Sequence, residues 1–145
     1  MSEVQARCPD LIRLRRVITR APDSVGEDCT AVSVEDFLKM DREGQFALSW
    51  EAHCLHYGIP VDMDRHLADG RRVMFNGSRA RMGEARARYP GLLILSIVAS
   101  DAVLAARLAQ RGREGAKDIE ERLRRAKLGQ REIESAIEIN NNHNL

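Results

Sequence analysis

Apolar and polar positions alternate in two stretches of the first half of the chain, and each alternation predicts a half-buried strand. Residues 11–18 roughly alternate apolar with basic side chains, and residues 46–52 alternate larger apolar side chains with small or polar ones. Residues 21–24, Ala-Pro-Asp-Ser, predict a polar loop after the first strand, and Tyr57-Gly58 predicts a turn after the second.

Helix boundaries are marked by capping and turn residues. Ser33 and Asp36 form a capping-box-like start for a short helix, and Gly44 stands where a C-terminal cap would end it. Pro60 precedes a second helix candidate that ends at Gly70. Helices therefore alternate with the predicted strands.

The second half continues this alternation. Residues 72–75 predict a short buried strand, and Ser78 is a predicted cap for the helix that runs towards residues 89–90. Residues 92–98 are almost continuously apolar, as in a parallel strand covered on both faces, and Ser100 caps the next helix. The pattern predicts an α/β fold with a buried parallel sheet.

The last third contains a charged, glycine-containing interruption at residues 111–115. A long amphipathic helix is predicted from Asp118 onwards, and residues 137–140 are a candidate final strand. The interruption suggests a mobile segment. No interdomain linker or internal repeat is evident, so we expect one domain over residues 1–145.

Composition narrows the class of protein. A chain of 145 residues with 43% hydrophobic and 31% charged residues suits one compact domain. A formal net charge of +1 gives no support to general nucleic-acid or membrane-surface binding. Of 23 basic residues only three are lysine, so twenty are arginine. This bias suits bidentate phosphate binding but also follows from GC-rich coding, and both explanations stay open.

The cysteines and the apolar runs indicate the cellular compartment in which the protein is expected. Cys8, Cys29 and Cys54 are odd in number and widely spaced, which suggests neither a disulfide framework nor a zinc site. The N-terminus has no stretch of signal-peptide type, and the longest apolar run, residues 92–99, is too short to span a bilayer. We expect a soluble protein in a reducing cytoplasm.

Four segments resemble the guanylate-kinase-like enzymes. Residues 16–22, Arg-Val-Ile-Thr-Arg-Ala-Pro, are similar to the element by which that family holds the phosphate of the accepting substrate. Residues 44–58 resemble its Gly-x-Phe to Tyr-Tyr-Gly stretch, and the likeness continues through residues 73–79 and 107–125. The resemblance implies a three-layer α/β/α P-loop kinase fold with a parallel sheet.

Two departures separate the chain from guanylate kinases. Asp23 lies where those enzymes carry a second phosphate-binding arginine, and Leu48 stands where a glutamate reads the guanine edge. A leucine would leave polar groups of guanine unpaired, at a cost of about 1–3 kcal/mol. The combination of residues 17–20, 26–28 and 73–79 is instead similar to the ribose 1,5-bisphosphate phosphokinases of phosphonate catabolism, transferases that make 5-phosphoribosyl 1-diphosphate.

The resemblance implies roles for individual residues. Thr19, Arg20 and Tyr57, with Asn76 and Ser78, are the implied binding residues for the phosphorylated sugar. Arg111, Arg113 and Arg122 are the implied catalytic residues, on a lid over about residues 111–122 that closes on the transferring group. Arg111 and Arg113 would also bind ATP, and Mg²⁺ would bridge the donor phosphates.

Metal-ligand and acid-pair patterns are weak. His53 and His56 are three residues apart with no fourth ligand in view, so no protein-bound metal is expected. Asp62 and Asp64 after Pro60 are more typical of a helix N-terminus than of a catalytic pair.

The chain contains no Gly-x-x-x-x-Gly-Lys-Ser/Thr loop, the element that cradles ATP phosphates in P-loop kinases. Relative to the family we therefore expect the first strand, this loop and the C-terminal end to be missing. A shortened form, a natural fragment completed by another chain, and a binding module that lost ATP all stay open. Guanylate or other nucleoside monophosphate kinase activity, a catalytically inactive interaction module and a homodimer are the alternatives left for experiment.

Overall fold

The computed structural model describes residues 2–20, 28–111 and 136–142. The chain divides into two compact units, Met1–Ser78 and Arg79–Leu145. Several predictions fall on residues outside the described ranges: the polar loop at residues 21–24, the position of Asp23, most of the charged interruption at residues 111–115, the lid arginines Arg113 and Arg122, and the helix that starts at Asp118.

The first unit contains a parallel pair of short strands. Helix α1 (Ser2–Arg7) leads into β1 (Leu11–Arg13), which pairs in parallel with β6 (Arg72–Met74). The Arg72 guanidinium donates a hydrogen bond to the carboxylate of Asp10, the residue before β1. That hydrogen bond, together with the backbone hydrogen bond and the arginine charge, lowers the pKa of Asp10.

The prediction of a single strand over residues 11–18 is wrong. β1 ends at Arg13, and the next strand, β2 (Val17–Ile18), belongs to a different sheet. The Asp28 carboxylate forms ion pairs with the Arg13 guanidinium (2.8 Å) and with Nε of Arg15 (3.2 Å), at the point where the chain passes between sheets. Alternation reports which side chains are buried and does not report where a chain changes sheet.

The second sheet of this unit has four strands in the order β3-β2-β5-β4. β2 pairs in parallel with β3 and antiparallel with β5, and β5 pairs antiparallel with β4. The three further strands are β3 (Thr30–Ala31), β4 (Phe46–Ala52) and β5 (Leu55–Pro60). The bounds of β4 match the predicted strand at residues 46–52, so this prediction is confirmed.

The hairpin between β4 and β5 turns at His53 and Cys54, whose φ angles are 55° and 59°. The predicted turn at Tyr57-Gly58 is wrong, because both residues lie inside β5. Two-residue turns with positive φ at both positions favour Asn-Gly or Asp-Gly. A His-Cys pair is not typical of such a turn, and the sequence pattern therefore predicted the turn at Tyr57-Gly58 instead.

Helix α2 (Val34–Arg42) packs on one face of this sheet and begins as predicted. The Ser33 hydroxyl accepts a hydrogen bond from the backbone N–H of Asp36 (3.0 Å), and the helix ends before Gly44, whose φ is 70°. Phe37, which is 2% exposed, stacks on the ring of Phe46 at 4.6 Å between centroids. The capping residues and one buried aromatic therefore fix this helix on the sheet.

Helix α3 (Asp62–Ala68) follows β5 after Pro60 and precedes Gly70, whose φ is 71°. The predicted helix between Pro60 and Gly70 is confirmed. Its anchor to the core is Met63, which is 2% exposed.

The second unit begins with a 3-10 turn (Arg79–Arg81) followed by α4 (Met82–Arg88). Ser78 is therefore not the cap of this helix, because Arg81 is the N-cap residue and makes no side-chain cap hydrogen bond. The intervening 3-10 turn displaces the helix start by three residues. Helix α5 (Asp101–Arg111) is capped as predicted, since the Ser100 hydroxyl accepts from the Val103 N–H at 3.4 Å.

The sheet of the second unit consists of β7 (Leu95–Val98) and β8 (Ile137–Asn140) in parallel register. The predicted strand at residues 137–140 is confirmed. Coverage of both faces of β7 is not observed, because Leu95 is 54% and Ile97 is 64% exposed. Among the described residues β7 has β8 as its only strand neighbour, which leaves one aliphatic face open.

Within the described ranges, no helix is both long and apolar enough to cross a membrane.

Candidate functional site

An aromatic pair with an arginine above it lies on the four-stranded sheet. The rings of Trp50 and Tyr57 are nearly parallel, with 5.5 Å between centroids and 7° between planes. The Arg16 guanidinium carbon lies 5.0 Å from the Tyr57 centroid and 6.0 Å from the Trp50 centroid. Trp50 is buried, whereas Arg16 and Tyr57 are half-buried. The cluster joins a cation, a phenol and an indole on adjacent strands.

Strand register explains why these side chains meet. Ile18 of β2 is paired with Tyr57 of β5, and Tyr57 is paired with Trp50 of β4. Directly opposite residues in a sheet project to the same face, and so do residues two apart along a strand. Arg16 precedes Ile18 by two residues and therefore shares the face of Tyr57.

A second row of residues lies beside the Ile18, Tyr57 and Trp50 row. Ile59 is paired with Leu48, and continuing the β2–β5 register by one residue brings Arg16 opposite Ile59. We call Arg16, Ile59 and Leu48 the Arg16 row. Its two aliphatic members are almost fully buried, at 0% and 4% exposed, so they offer no hydrogen-bonding group to a ligand.

Thr19 and Arg20 follow β2 directly. The Thr19 hydroxyl accepts a hydrogen bond from the His56 N–H (2.8 Å), and the Thr19 N–H donates to the His56 carbonyl (3.1 Å). The Arg20 N–H donates to the Ile18 carbonyl (3.0 Å), which makes a tight turn at the end of the strand. The Thr19 hydroxyl thus links the end of β2 to β5. Thr19 is 6% exposed, and Arg20 beyond it is half-buried.

Asn76 and Ser78 lie in the segment that follows β6; Asn76 is exposed and Ser78 is half-buried. The Leu14 N–H donates to the Met74 carbonyl (3.0 Å), so the chain leaves β1 and β6 at the same sheet edge. Ligands of parallel sheets bind at the carboxyl ends of the strands. The segment with Asn76 leaves β6 at this edge, whereas Arg20 follows β2, which belongs to the four-stranded sheet.

The predicted lid lies almost entirely outside the described residues. Arg111 is the last residue of α5, in the second unit, and only its backbone is described. Arg113 and Arg122 are not among the described residues. The catalytic and ATP-binding roles of these three arginines stay predictions.

The described residues include no group of three or more His, Cys, Asp and Glu side chains that could hold a metal ion. His53 lies in the hairpin turn, and the His56 ring stacks on Phe37 at 5.4 Å between centroids. The described side chains therefore do not fit a protein-held Mg²⁺. They offer cations and hydroxyl groups, which suit a phosphorylated ligand.

Sequence reasoning missed the role of Arg16 and Trp50 in the cluster. The alternation of residues 46–52 placed Trp50 on one face, but the stack depends on the register between β4 and β5. That register follows from the His53-Cys54 turn, which carries no turn signal.

Comparison with known proteins gives close relatives, although no family model matches the chain. The ribose 1,5-bisphosphate phosphokinase PhnN of Pseudomonas fluorescens is 53% identical over 112 residues, which cover 77% of this chain and 59% of that protein. The protein of the same name from Ruegeria sp. is 44% identical over 128 residues, covering 88% of this chain and 67% of that protein. The chain thus spans about three fifths to two thirds of the length of these relatives.

A solved structure resembles this fold. The crystal structure of guanylate kinase from Anaplasma phagocytophilum matches with a TM-score of 0.66 at 17% identity, covering 97% of this chain and 71% of that chain. At this identity the likeness concerns the fold alone. The prediction of a guanylate-kinase-like α/β fold is confirmed.

Proposed function

Because the chain belongs to the ribose 1,5-bisphosphate phosphokinase family, we propose that the whole protein transfers a phosphate group from ATP to ribose 1,5-bisphosphate. The product would be 5-phosphoribosyl 1-diphosphate, in phosphonate catabolism. A cytoplasmic location, where ATP is available, is part of the same proposal.

The position of Tyr57 carries the proposal for the acceptor site. Tyr57 is half-buried at the centre of the sheet, and its paired strand β2 runs directly into Thr19 and Arg20. Arg20 would bind the accepting phosphate through charge-assisted hydrogen bonds, and the Tyr57 hydroxyl would donate to the same group. The Thr19 hydroxyl already accepts from His56, so we assign Thr19 the task of fixing the strand from which Arg20 projects.

Phosphate transfer depends mainly on alignment and on neutralising charge. An oxygen of the phosphate on C1 of ribose would form a bond to the terminal phosphorus of ATP. The bond from that phosphorus to its bridging oxygen would break, and ADP would leave with the electron pair. Mg²⁺, when bound to the donor phosphates, supplies part of the charge neutralisation. Asn76 and Ser78, which follow β6, would complete the acceptor side. The roles in transfer that the resemblance implies for Arg111, Arg113 and Arg122 stay predictions.

The two aliphatic side chains of the Arg16 row favour a sugar phosphate over a purine nucleotide as the acceptor. Leu48 and Ile59 are buried aliphatic side chains and cannot pair with the polar edge of guanine. A base placed there would keep unsatisfied polar groups, at a cost of about 1–3 kcal/mol. GMP is therefore the informative competing acceptor.

The test is an assay of the whole protein with ribose 1,5-bisphosphate, ATP and Mg²⁺, in which 5-phosphoribosyl 1-diphosphate is measured. We expect turnover with the sugar bisphosphate and a kcat/KM for GMP lower by about 10- to 100-fold, as an unpaired polar edge implies. Preference for GMP, or no product from a folded protein, would reject the proposal.

A further inference from the structure

Arg16 lies against the ring of Tyr57, the tyrosine whose hydroxyl is proposed to donate to the accepting phosphate. The Arg16 guanidinium carbon is 5.0 Å from the Tyr57 centroid and 6.0 Å from the Trp50 centroid, and the two ring centroids are 5.5 Å apart. A cation over an aromatic face is attracted to the ring, more strongly where water is excluded. Tyr57 is half-buried and Trp50 is buried, so the site meets this condition.

The backbone holds Arg16 in place beside Tyr57. The Arg16 carbonyl accepts a hydrogen bond from the Thr30 N–H (2.9 Å), which ties it to the start of β3. Two residues further on, Ile18 of β2 is paired with Tyr57 of β5. Residues two apart along a strand share a face, so the chain presents the Arg16 side chain to the Tyr57 ring. The contact therefore follows from strand pairing.

The direction of a tyrosine hydroxyl depends on its ring. The ring is rigid beyond two side-chain torsions, so contacts that fix the ring plane also fix the position of the oxygen. In the sheet, β5 lies between β2 and β4. Trp50 contacts the Tyr57 ring from β4, at 7° between planes, and Arg16 contacts it from the segment that leads into β2. The ring is thus held from both neighbouring strands.

We propose that Arg16 is a positioning residue: its guanidinium, together with Trp50, holds the Tyr57 ring so that the hydroxyl can donate to the accepting phosphate. Because hydrogen bonds weaken steeply with misalignment, a loose ring would bind this phosphate less well. This inference rests on the proposed function and adds to it the group that orients Tyr57. The effect of Arg16 on the reaction should pass through the Tyr57 hydroxyl.

The experiment is a double-mutant cycle in the whole protein. Arg16 also has a further interaction partner, so removal of its side chain alone would not show which contact matters. Tyr57→Phe keeps the ring and removes the hydroxyl, and kcat/KM for ribose 1,5-bisphosphate should fall about 10- to 100-fold, as loss of a hydrogen bond to a charged group implies. Arg16→Gln should lower it about 3- to 10-fold. In the Tyr57→Phe protein, Arg16→Gln should cause no further loss.

Two further variants separate the ring contact from charge alone. Arg16→Lys should recover part of the loss, because an ammonium group over the ring is also attracted to its face. Arg15→Gln is the matched control. Arg15 is adjacent, carries the same charge and is 63% exposed in an ion pair with Asp28, so its loss should leave kcat/KM unchanged.

A measurement on the ring itself does not depend on activity. In the whole protein with isotope-labelled tyrosine, the Tyr57 ring signals are those that Tyr57→Phe removes from the nuclear magnetic resonance spectrum. Arg16→Gln should shift these signals and weaken their nuclear Overhauser contact with the Trp50 ring. The signals of Tyr89, which lies in the second unit, should not change.

Equal losses of kcat/KM from Arg16→Gln with and without the Tyr57 hydroxyl would overturn the inference, because Arg16 would then act through the substrate or the fold. Absence of a loss in either single variant would overturn it too. So would unchanged Tyr57 ring signals in Arg16→Gln, whether or not the protein is active. Failure of the unaltered protein to form 5-phosphoribosyl 1-diphosphate would instead reject the proposed function itself.

Discussion

Gly58 shows how a single residue supports the site from the opposite face of the sheet. A Cβ atom on Gly58 would lie 2.6 Å from two ring atoms of Phe46, well inside van der Waals contact. Phe46 in turn stacks on Phe37 of α2. The absence of a side chain at Gly58 thus lets the helix layer approach the strand that carries Tyr57.

Gly58→Ala should therefore destabilise the protein by about 1–3 kcal/mol, the usual cost of overpacking. Urea unfolding followed by the fluorescence of Trp50, the single tryptophan of this chain, measures the change. Gly83→Ala, in the second unit and followed by far-ultraviolet circular dichroism, is the matched control, since a Cβ there meets nothing within 4 Å and the residue lies in α4. That change should stabilise by about 0.5–1 kcal/mol. Equal effects of the two substitutions would contradict this account of Gly58.

At the scale of elements, local signals predicted α2, α3, α5 and the longest strand, but not the start of α4. Ser33 and Gly44 marked both ends of α2, and the alternation of residues 46–52 gave the bounds of β4. The candidate site could be predicted only as separate residues. The register between β4 and β5 follows from a turn at His53-Cys54, which lacks the usual turn residues. The change of sheet after β1 arises from tertiary pairing, which local patterns do not show.

The pairing of β1 with β6 is expected to depend on pH through Asp10. Its hydrogen bond to Arg72 lowers the pKa of Asp10 below the ordinary value of 3.8. A carboxyl with a lowered folded-state pKa stabilises the fold above its unfolded pKa and loses this contribution as pH falls through the folded value.

Asp10→Asn should therefore unfold more readily than the unaltered protein near pH 7, and the difference should disappear in acid, below about pH 4. Added salt should reduce the difference at neutral pH, because both side chains are exposed. Denaturant titrations at several pH values test this. A difference that persists in acid would show that Asp10 acts through something other than its charge.

At the scale of the whole molecule, buried side chains are unevenly distributed between the two units. Most of the buried apolar residues belong to the first unit, whereas the second contributes Ala85 and Ile94 among the described residues. The second unit also exposes four aliphatic side chains on one face of its sheet, because Leu95 is paired with Ile137 and Ile97 with Ile139. Burial of apolar area is the main stabilising contribution, so the described residues lead us to expect that the second unit is the weaker one.

Denaturant unfolding of this 145-residue chain should therefore occur in two steps, although the sequence predicts one domain over residues 1–145. Trp50 lies in the first unit and reports on it alone, whereas far-ultraviolet circular dichroism reports on both units. The dichroism should begin to change at lower denaturant than the fluorescence.

Two substitutions make the assignment specific. Ile59→Val should shift the fluorescence transition, and Ile94→Val should shift the earlier dichroism step, each by about 0.5–1.5 kcal/mol. Coincident transitions that respond equally to both substitutions would instead establish a single cooperative domain. In that case the uneven burial would not control how the chain unfolds, and the prediction of one domain would be confirmed.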